Sequence, residues 1–248
     1  MHPAILTLSI INLLVSEVAC HGWIKQLKLD GATYVVFPEV KVPDWTAPAI
    51  NITRQIGYDG PVLDVLSNDI TCNARAVPLN DNGVSRTGTI TAGSNLQIYW
   101  GGWPHSGPIL TYMARCDPDC GSFTGSTGNV WFKIDEYGYK NGWATQQLDT
   151  QKYWWNVTVP QCIPDGEYLI RHEIMAMSEC KTLGKCQFYP SCTQVKVVGG
   201  GSVSPGSSDL VAFPGAYGKT DKGILWDTNT QDARDYVTPG PRVWECPS

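Results

Sequence analysis

The sequence has no cluster of basic residues and no apolar run long enough to cross a membrane. Charged side chains make up only 17% of the 248 residues, and the formal net charge is −5. The main apolar run, residues 4–15, is shorter than the roughly 20 residues that a membrane-spanning helix needs. We therefore expect a soluble protein that associates with neither nucleic acid nor membranes.

The apolar run near the start is typical of a secretory signal peptide, although no Lys or Arg precedes it. Val18 and Cys20 are small residues at positions −3 and −1 of a cut before His21. We expect residues 1–20 to be removed, residues 21–248 to form a single domain and the protein to be extracellular. The cut would make His21 the first residue, and its amine and imidazole could together chelate one metal ion.

Paired Cys-x-x-Cys motifs are also absent, which argues against a zinc site. Of the nine cysteines, eight follow residue 20, and an even number in a secreted protein predicts disulfide bonds. Close spacing favours two short-range bridges, Cys116–Cys120 and Cys180–Cys186. The other four allow three pairings: Cys72, Cys162, Cys192 and Cys246.

Two sequons, at Asn51 and Asn156, are candidate sites of N-glycosylation. Short motifs of this kind are weak signals, and Asn156 falls in a predicted strand that could cover its side chain.

Helical periodicity is not evident anywhere in the chain. Residues 21–60 are predicted to form a long surface loop with Trp45 and Tyr58 exposed or half-exposed, and 214–248 to form an arm tied back through Cys246. Alternating apolar and polar residues predict strands at 94–100, 109–114, 129–134, 155–159, 168–177, 187–190 and 194–198. Short strands with Gly/Pro turns favour an all-β fold, an antiparallel β-sandwich of the immunoglobulin or fibronectin III type with long surface loops.

Histidine is scarce after residue 20, where only three remain: His21, His105 and His172. His105 lies in a Gly/Pro turn at 101–108, although a lone histidine in a loop is usually only solvated. Two imidazoles and an α-amine would supply three nitrogen ligands, a set that suits Cu(II). The amine has a pKa of about 7.7–8.0 in model peptides, so a metal can displace its proton at neutral pH.

The segments 168–177 and 187–190 are predicted to pair as a hairpin. A simple register places His172 opposite Gln187 and Ile170 opposite Tyr189. His172, Gln187 and Tyr189 would then line one face, because residues two apart share a face. Ile170 lies on the same face, so a buried apolar core with one satisfied histidine explains the pattern equally well.

Segments along most of the chain resemble the fungal copper-dependent lytic polysaccharide monooxygenases of auxiliary-activity family nine, formerly glycoside hydrolase family sixty-one. The matching segments are His21-Gly, Asp69-Ile-Thr-Cys72-Asn, Trp103-Pro-His105-Ser-Gly-Pro108, Tyr112-Met-Ala, Trp131-Phe-Lys-Ile134, Gly166-Glu-Tyr-Leu-Ile-Arg-His172-Glu, Gln187-Phe-Tyr-Pro-Ser-Cys192, Pro214-Gly-Ala-Tyr217 and Gly240-Pro-Arg-Val-Trp244. Residues 31–58 depart from the family's usual loop.

The resemblance implies a role for each matching residue. His21, through its amine and ring, and His105 would bind one copper ion per chain, with Tyr189 at the axial position. His172 and Gln187 would be catalytic residues, with Tyr189, that orient bound oxygen species. Tyr217 would lie on a flat face that meets cellulose. The family's pairing implies the disulfides Cys72–Cys192 and, for the remaining two cysteines, Cys162–Cys246.

The resemblance further implies oxidative cleavage of β-1,4-glucan chains by hydroxylation at C1 and/or C4. Electrons would come from an external donor, a small reductant or cellobiose dehydrogenase, and the co-substrate would be oxygen or hydrogen peroxide. We expect a monomer.

Two other functions remain open. A non-catalytic secreted copper-binding protein could keep the two-histidine site, but it would not need His172, Gln187 and Tyr189. A polysaccharide-binding β-sandwich would use some of the ten tryptophans, but it leaves His21 unexplained. A glycosidase is disfavoured because it needs two carboxylates at a defined separation, and Glu173 has no evident partner.

Overall fold

The computed structural model describes residues 22–36 and 51–247. The predicted signal peptide, His21 and Trp45 lie outside these residues. Within them, no helix is long and apolar enough to span a membrane.

Most of the regular structure in the described residues is β-strand. The strands are β1 (Gln26–Leu29), β2 (Ala32–Val35), β3 (Asn80–Asp81), β4 (Val84–Ser85), β5 (Gly88–Thr91), β6 (Asn95–Tyr99), β7 (Ile109–Arg115), β8 (Trp131–Tyr137), β9 (Trp154–Thr158), β10 (Gly166–Ala176) and β11 (Gln187–Val198). The helices are α1 (Asp69–Cys72) and α2 (Ala144–Thr150), with 3₁₀ turns at Ser207–Asp209 and Ala233–Asp235.

Two sheets pack face to face and confirm the predicted β-sandwich. One has four strands in the order β2-β1-β6-β9, and the other has five in the order β5-β11-β10-β7-β8. All pairings are antiparallel except that of β11 with β5, which is parallel. Strands β3 and β4 form a separate short hairpin.

Each predicted strand coincides with an observed one, but three expectations are wrong. Residues 21–60 were expected to be a loop, yet β1 and β2 form a hairpin inside that range. The segments 187–190 and 194–198 belong to one continuous strand, β11. Two short α-helices are present where none was expected. Tyr58 is exposed, as predicted.

The five-stranded sheet is buried on both faces. Its inner face packs against the four-stranded sheet in a core that includes Leu27, Ile98 and Ile170. Its outer face is covered by loops and by the C-terminal arm, in a second core that includes Phe188 and Phe213. This double burial explains why β10 and β11 show almost continuous burial rather than alternation.

The register predicted for the hairpin of β10 and β11 is wrong by four residues. His172 lies opposite Ser191 rather than Gln187. Because side chains alternate between the faces of a strand, a shift by an even number of residues keeps every side chain on its predicted face. His172, Gln187 and Tyr189 therefore still share the inner face.

The four predicted disulfides are present and confirm both the short-range pairs and the pairing that the resemblance implied. They are Cys72–Cys192, Cys116–Cys120, Cys162–Cys246 and Cys180–Cys186. The bridge from Cys246 ties the C-terminal arm to the sandwich, and the backbone N–H of Trp244 donates to the carbonyl of Lys133 on β8 at 2.8 Å.

Candidate metal centre

His172 lies on β10 between the two sheets and is only 1% exposed. Its Nδ1 is 2.9 Å from Oγ1 of Thr111, which is directly opposite on β7. Its Nε2 is buried and has no hydrogen-bond partner among the described residues. Since buried polar atoms are nearly always paired, this nitrogen is available to a ligand.

The environment of His172 favours a neutral ring. Burial, and to a smaller extent the positive charge of the adjacent Arg171, lower its pKa to about 3. The imidazole is therefore uncharged at any pH well above that value. A neutral ring with one nitrogen fixed by Thr111 keeps the other nitrogen as a single, oriented hydrogen-bonding group.

Tyr189 and Gln187 form a second polar pair at the start of β11. The phenol of Tyr189 is almost fully buried, and its hydroxyl donates to Oε1 of Gln187 at 2.9 Å. The two side chains lie two residues apart on one face of the strand, which is what permits this contact.

Two buried tryptophans connect these groups to His105. The ring of Trp103 lies 6.0 Å from that of His105 and 4.8 Å from that of Tyr189, both edge-on. Trp100 lies 5.6 Å from Trp103 and 5.8 Å from His172. Four of the predicted residues, from two sheet strands and one turn, are thus brought together in one cluster: His105, His172, Gln187 and Tyr189.

The turn at 101–108 holds His105 at this end of the sandwich because it packs tightly on the end of β10. The backbone N–H of Met177 donates to the carbonyl of Ser106 at 3.0 Å. At Gly107 a Cβ atom would lie 1.8 Å from the carbonyl oxygen of Met175. Any larger residue there would push the turn, and His105 with it, away from the sheet.

The chain also enters this cluster immediately after His21. Gly22 is buried, and a Cβ atom on it would lie 2.8 Å from Cε3 of Trp103. The backbone therefore passes directly over the same indole that contacts His105 and Tyr189.

The donors fit a copper site that is completed from outside the described residues. Within 22–36 and 51–247 there is no group of three or more His, Cys, Asp or Glu side chains that could hold a metal. His105 supplies an imidazole and Tyr189 a phenol, both against Trp103. Imidazole is a ligand that copper accepts well, and the orphaned Nε2 of His172 marks an adjacent place for a polar ligand.

The prediction that Tyr217 lies on the substrate face is wrong. Tyr217 is 1% exposed and stacks on Phe188 on the outer side of the five-stranded sheet. Its hydroxyl donates to Oε1 of Glu173 at 2.8 Å. A side chain enclosed in this way cannot touch a polysaccharide surface.

Glu173 is bonded within the protein, but its described partners are a guanidinium and a phenol, not the second carboxylate that a glycosidase needs. Its carboxylate is fully buried, accepts from Nη2 of Arg171 at 2.6 Å and receives the hydroxyl of Tyr217. It is therefore a structural anion enclosed in the protein, and it is unsuited to act as a glycosidase acid.

The two sequons differ in the structure. Asn51 is 0% exposed and Thr53, two residues later, is buried and contacts Thr193, so a glycan at Asn51 is not compatible with this fold. The prediction of a site at Asn51 is thus contradicted. Asn156 is exposed on β9, so the strand does not cover its side chain.

Sequence reasoning missed Thr111, Trp100 and Trp103 as parts of the cluster. Thr111 had a weak signal, because it is a polar residue within an otherwise apolar predicted strand. Trp103 lies in the matching segment that contains His105, but no role was assigned to it, and Trp100 gave no signal that distinguishes it from a tryptophan of the core.

Comparison with known proteins agrees with this geometry. Residues 21–236 match the model of Auxiliary Activity family 9 (formerly GH61). The AA9 family lytic polysaccharide monooxygenase B of Gloeophyllum trabeum is 38% identical over 238 residues, which cover 92% of each chain.

Two solved structures show the same fold. The crystal structure of HiLPMO9B superposes with a TM-score of 0.80 at 33% identity, over 91% of this chain and 100% of the other. A cellulose-active polysaccharide monooxygenase from M. thermophila gives a TM-score of 0.78 at 28% identity, over 91% and 99%. The chain therefore belongs to Auxiliary Activity family 9, the copper-dependent lytic polysaccharide monooxygenases.

Proposed function

We propose that this protein oxidises β-1,4-glucan chains of cellulose by hydroxylation at C1, C4 or both. The family supports oxidative cleavage of a polysaccharide, and the relative from M. thermophila is described as cellulose-active. Within this chain, the observation that carries the proposal is the buried, orphaned Nε2 of His172 beside the Tyr189–Gln187 pair. A copper-binding protein without catalysis has no use for such a nitrogen.

One copper ion per chain would be held by the amine and ring of His21, the ring of His105 and the hydroxyl of Tyr189. The contact of Gly22 with Trp103 supports this assignment, since it leads the chain into the cluster one residue after His21. When bound, the metal supplies one-electron transfer between an external reductant and oxygen or hydrogen peroxide. The reductant would be a small molecule or cellobiose dehydrogenase.

The protein's own groups bind and orient the oxidant. His172 cannot turn freely, because Thr111 holds Nδ1 at 2.9 Å. If the hydroxyl of Thr111 donates to Nδ1, the neutral ring carries its proton on Nε2 and can donate it in a hydrogen bond to an oxygen atom of the oxidant. Gln187 accepts from the phenol of Tyr189 and so fixes the direction of that hydroxyl.

The proposed site requires processing and secretion. Removal of residues 1–20 would free the amine of His21, and the four disulfides suit an oxidising compartment. We propose that residues 21–248 act as a single secreted domain and as a monomer.

Two histidine variants test this function. His105→Ala removes a ligand, so we expect it to lose tight Cu(II) binding. His172→Ala should keep Cu(II) affinity nearly intact but lower oxidative cleavage of cellulose at least tenfold, which corresponds to about 1.4 kcal/mol in the barrier. Calorimetric copper titration measures the first property, and mass spectrometry of aldonic acids and 4-ketosugars measures the second and identifies the oxidised carbon.

The protein for this test must start at His21, as N-terminal sequencing should show, and both variants must retain the thermal unfolding of the wild type. Loss of copper by His172→Ala as severe as that by His105→Ala would overturn the ligand assignment. Undiminished cleavage in both variants would show that the reaction does not take place at this site. No cleavage by copper-loaded wild type with ascorbate would leave a copper-binding protein as the better description.

A further inference from the structure

The outer face of the four-stranded sheet carries polar and aromatic side chains. On β9 the side chains of Trp155 and Val157 point into the core, and Trp154, Asn156 and Thr158 point outwards. In the described sheet β9 is the edge strand, so no further strand of that sheet lies beside these residues.

The amide of Asn156 is held in one orientation. Its Oδ1 accepts from Nε2 of Gln97, directly opposite on β6, at 3.0 Å. Its Nδ2, the atom that carries sugar in an N-linked glycan, makes no hydrogen bond with any described residue. Thr158, the third residue of the sequon, is exposed on the same face.

An aromatic side chain lies beside the amide. Trp154 is two residues before Asn156, which on a strand places the two side chains about 6.6–6.8 Å apart on one face. The indole is half-buried and leans on Tyr99, with ring centroids 5.0 Å apart. The ammonium of Lys28 lies 4.5 Å from the centre of the indole, so one ring face is reachable by a group at the surface.

We propose that Asn156 carries an N-linked glycan whose first N-acetylglucosamine packs against the indole of Trp154. Sugar rings have an apolar face of C–H groups, which suits the electron-rich face of an aromatic ring. Lys28 has a flexible side chain and withdraws from the ring or donates to a sugar hydroxyl.

Attachment would use a lipid-linked oligosaccharide in the secretory pathway. Nδ2 forms a bond to C1 of the first sugar, the bond from C1 to the lipid diphosphate breaks, and the amide proton leaves with the diphosphate. The inference depends on the proposed secretion and is independent of the copper chemistry. It also predicts a glycan on one sequon and none on the other, because Asn51 is enclosed and Asn156 is exposed.

Glycopeptide mapping of protein secreted from a fungal host tests the modification. We expect sugar on Asn156 and none on Asn51. An unmodified Asn156 overturns the proposal, and so does a glycan on Asn51.

Thermal unfolding tests the contact with Trp154. The glycans are trimmed with an endoglycosidase that leaves one N-acetylglucosamine on asparagine, and four proteins are compared: wild type, Asn156→Gln, Trp154→Ala and the double variant. Loss of the sugar through Asn156→Gln should lower Tm by about 2–4 °C when Trp154 is present and by less than about 1 °C when it is absent. Equal losses in both backgrounds overturn the packing.

Lys28→Ala is the matched control, since it changes the same ring face without removing sugar or indole. It should leave the effect of Asn156→Gln on Tm unchanged. Cellulose oxidation should be the same in all these variants. If sugar-free protein binds soluble cello-oligosaccharides and Trp154→Ala abolishes that binding, the face is a site for free glucan and the proposal is overturned.

Discussion

Strand β10 carries buried polar side chains on both faces, and these side chains differ in how their hydrogen bonds are satisfied. On the outer face, Glu173 is enclosed with the guanidinium of Arg171 and the hydroxyl of Tyr217. On the inner face, His172 uses one ring nitrogen for Thr111 and leaves the other without a described partner. On the outer face the two charges neutralise each other within the protein, which stabilises the fold. On the inner face Nε2 of His172 meets no described group, which points to a ligand.

The guanidinium of Arg171 supports the structural interpretation of the outer face. It donates to the carbonyl of Ile70 at 2.8 Å and lies 4.0 Å from the ring of Phe213. One of its nitrogens, Nη1, has no described hydrogen-bond partner, but the ring beneath the guanidinium attracts the cation. The charged groups of the outer face are thus bonded to, or packed against, other parts of the protein, from a loop, the strand and the C-terminal arm.

The largest expected effect comes from breaking the outer pair. Glu173→Ala leaves the charge of Arg171 buried and uncompensated, which should lower the free energy of unfolding by about 3–5 kcal/mol. Replacing both partners, with Arg171→Met and Glu173→Leu, should restore most of this loss. Urea unfolding measures the stability of the single and the double variant. A loss below about 1 kcal/mol for Glu173→Ala, the range of exposed ion pairs, would show that the outer pair is not a buried structural pair.

Arg234→Ala provides the matched control, because it removes an exposed ion pair and keeps the cap that Asp232 forms with the backbone N–H of residue 234. Asp232 and Arg234 are also two residues apart and ion-paired, but both are exposed. Water replaces the partner there, so stability should barely change.

A smaller effect is expected for Tyr217→Phe. Burial and the nearby carboxylate of Glu173 raise the pKa of Tyr217 well above its usual range, so the hydroxyl stays protonated and donates. Removing this donor should cost about 1.5–3 kcal/mol of stability without changing cellulose oxidation per folded molecule. Tyr189→Phe, on the inner face, should instead lower cellulose oxidation per folded molecule. Weakened substrate binding in Tyr217→Phe would restore the role that the sequence had suggested for it.

The last effect is spread over several pH units and concerns the acid stability of the inner face. His172 has a pKa of about 3 when folded, against 6.5 for a free imidazole. Between those values the unfolded chain binds the proton and the folded protein does not. The free energy of unfolding should therefore decrease as the pH is lowered through this range, by about 1.4 kcal/mol per pH unit.

His172→Gln removes this contribution. Metal-free His172→Gln should lose less stability than metal-free wild type between about pH 6.5 and pH 4, the window in which the imidazole titrates in the unfolded chain alone. Parallel stability curves for the two proteins, measured by urea unfolding at each pH, would show that His172 is not held neutral.

The faces of β10 and β11 could be predicted from sequence, but their register could not. Alternation places His172 and Tyr189 on one side whatever even shift is chosen. The register depends on the length of the loop at 177–186, and the disulfide Cys180–Cys186 within it does not reveal which flanking residues pair. The predicted grouping survived because the error was four residues, an even number.

Other features depended on packing that the sequence does not reveal. Tyr217 was placed by resemblance at the surface, and only the fold shows that it faces Glu173. Thr111 meets His172 through the pairing of β7 with β10, which no local pattern specifies. The hairpin of β1 and β2 was missed because four-residue strands give too few alternations to outweigh the prolines that follow.

The two long-range disulfides have a consequence for proteolysis. Cys72–Cys192 and Cys162–Cys246 overlap along the chain, so every peptide bond between Cys72 and Cys246 lies inside at least one closed loop. A protease that cuts once in this span would produce a nicked protein whose two pieces remain covalently joined. His105 and His172 both lie within it, and so a single cut would leave them parts of one molecule until a reductant opened the bridges.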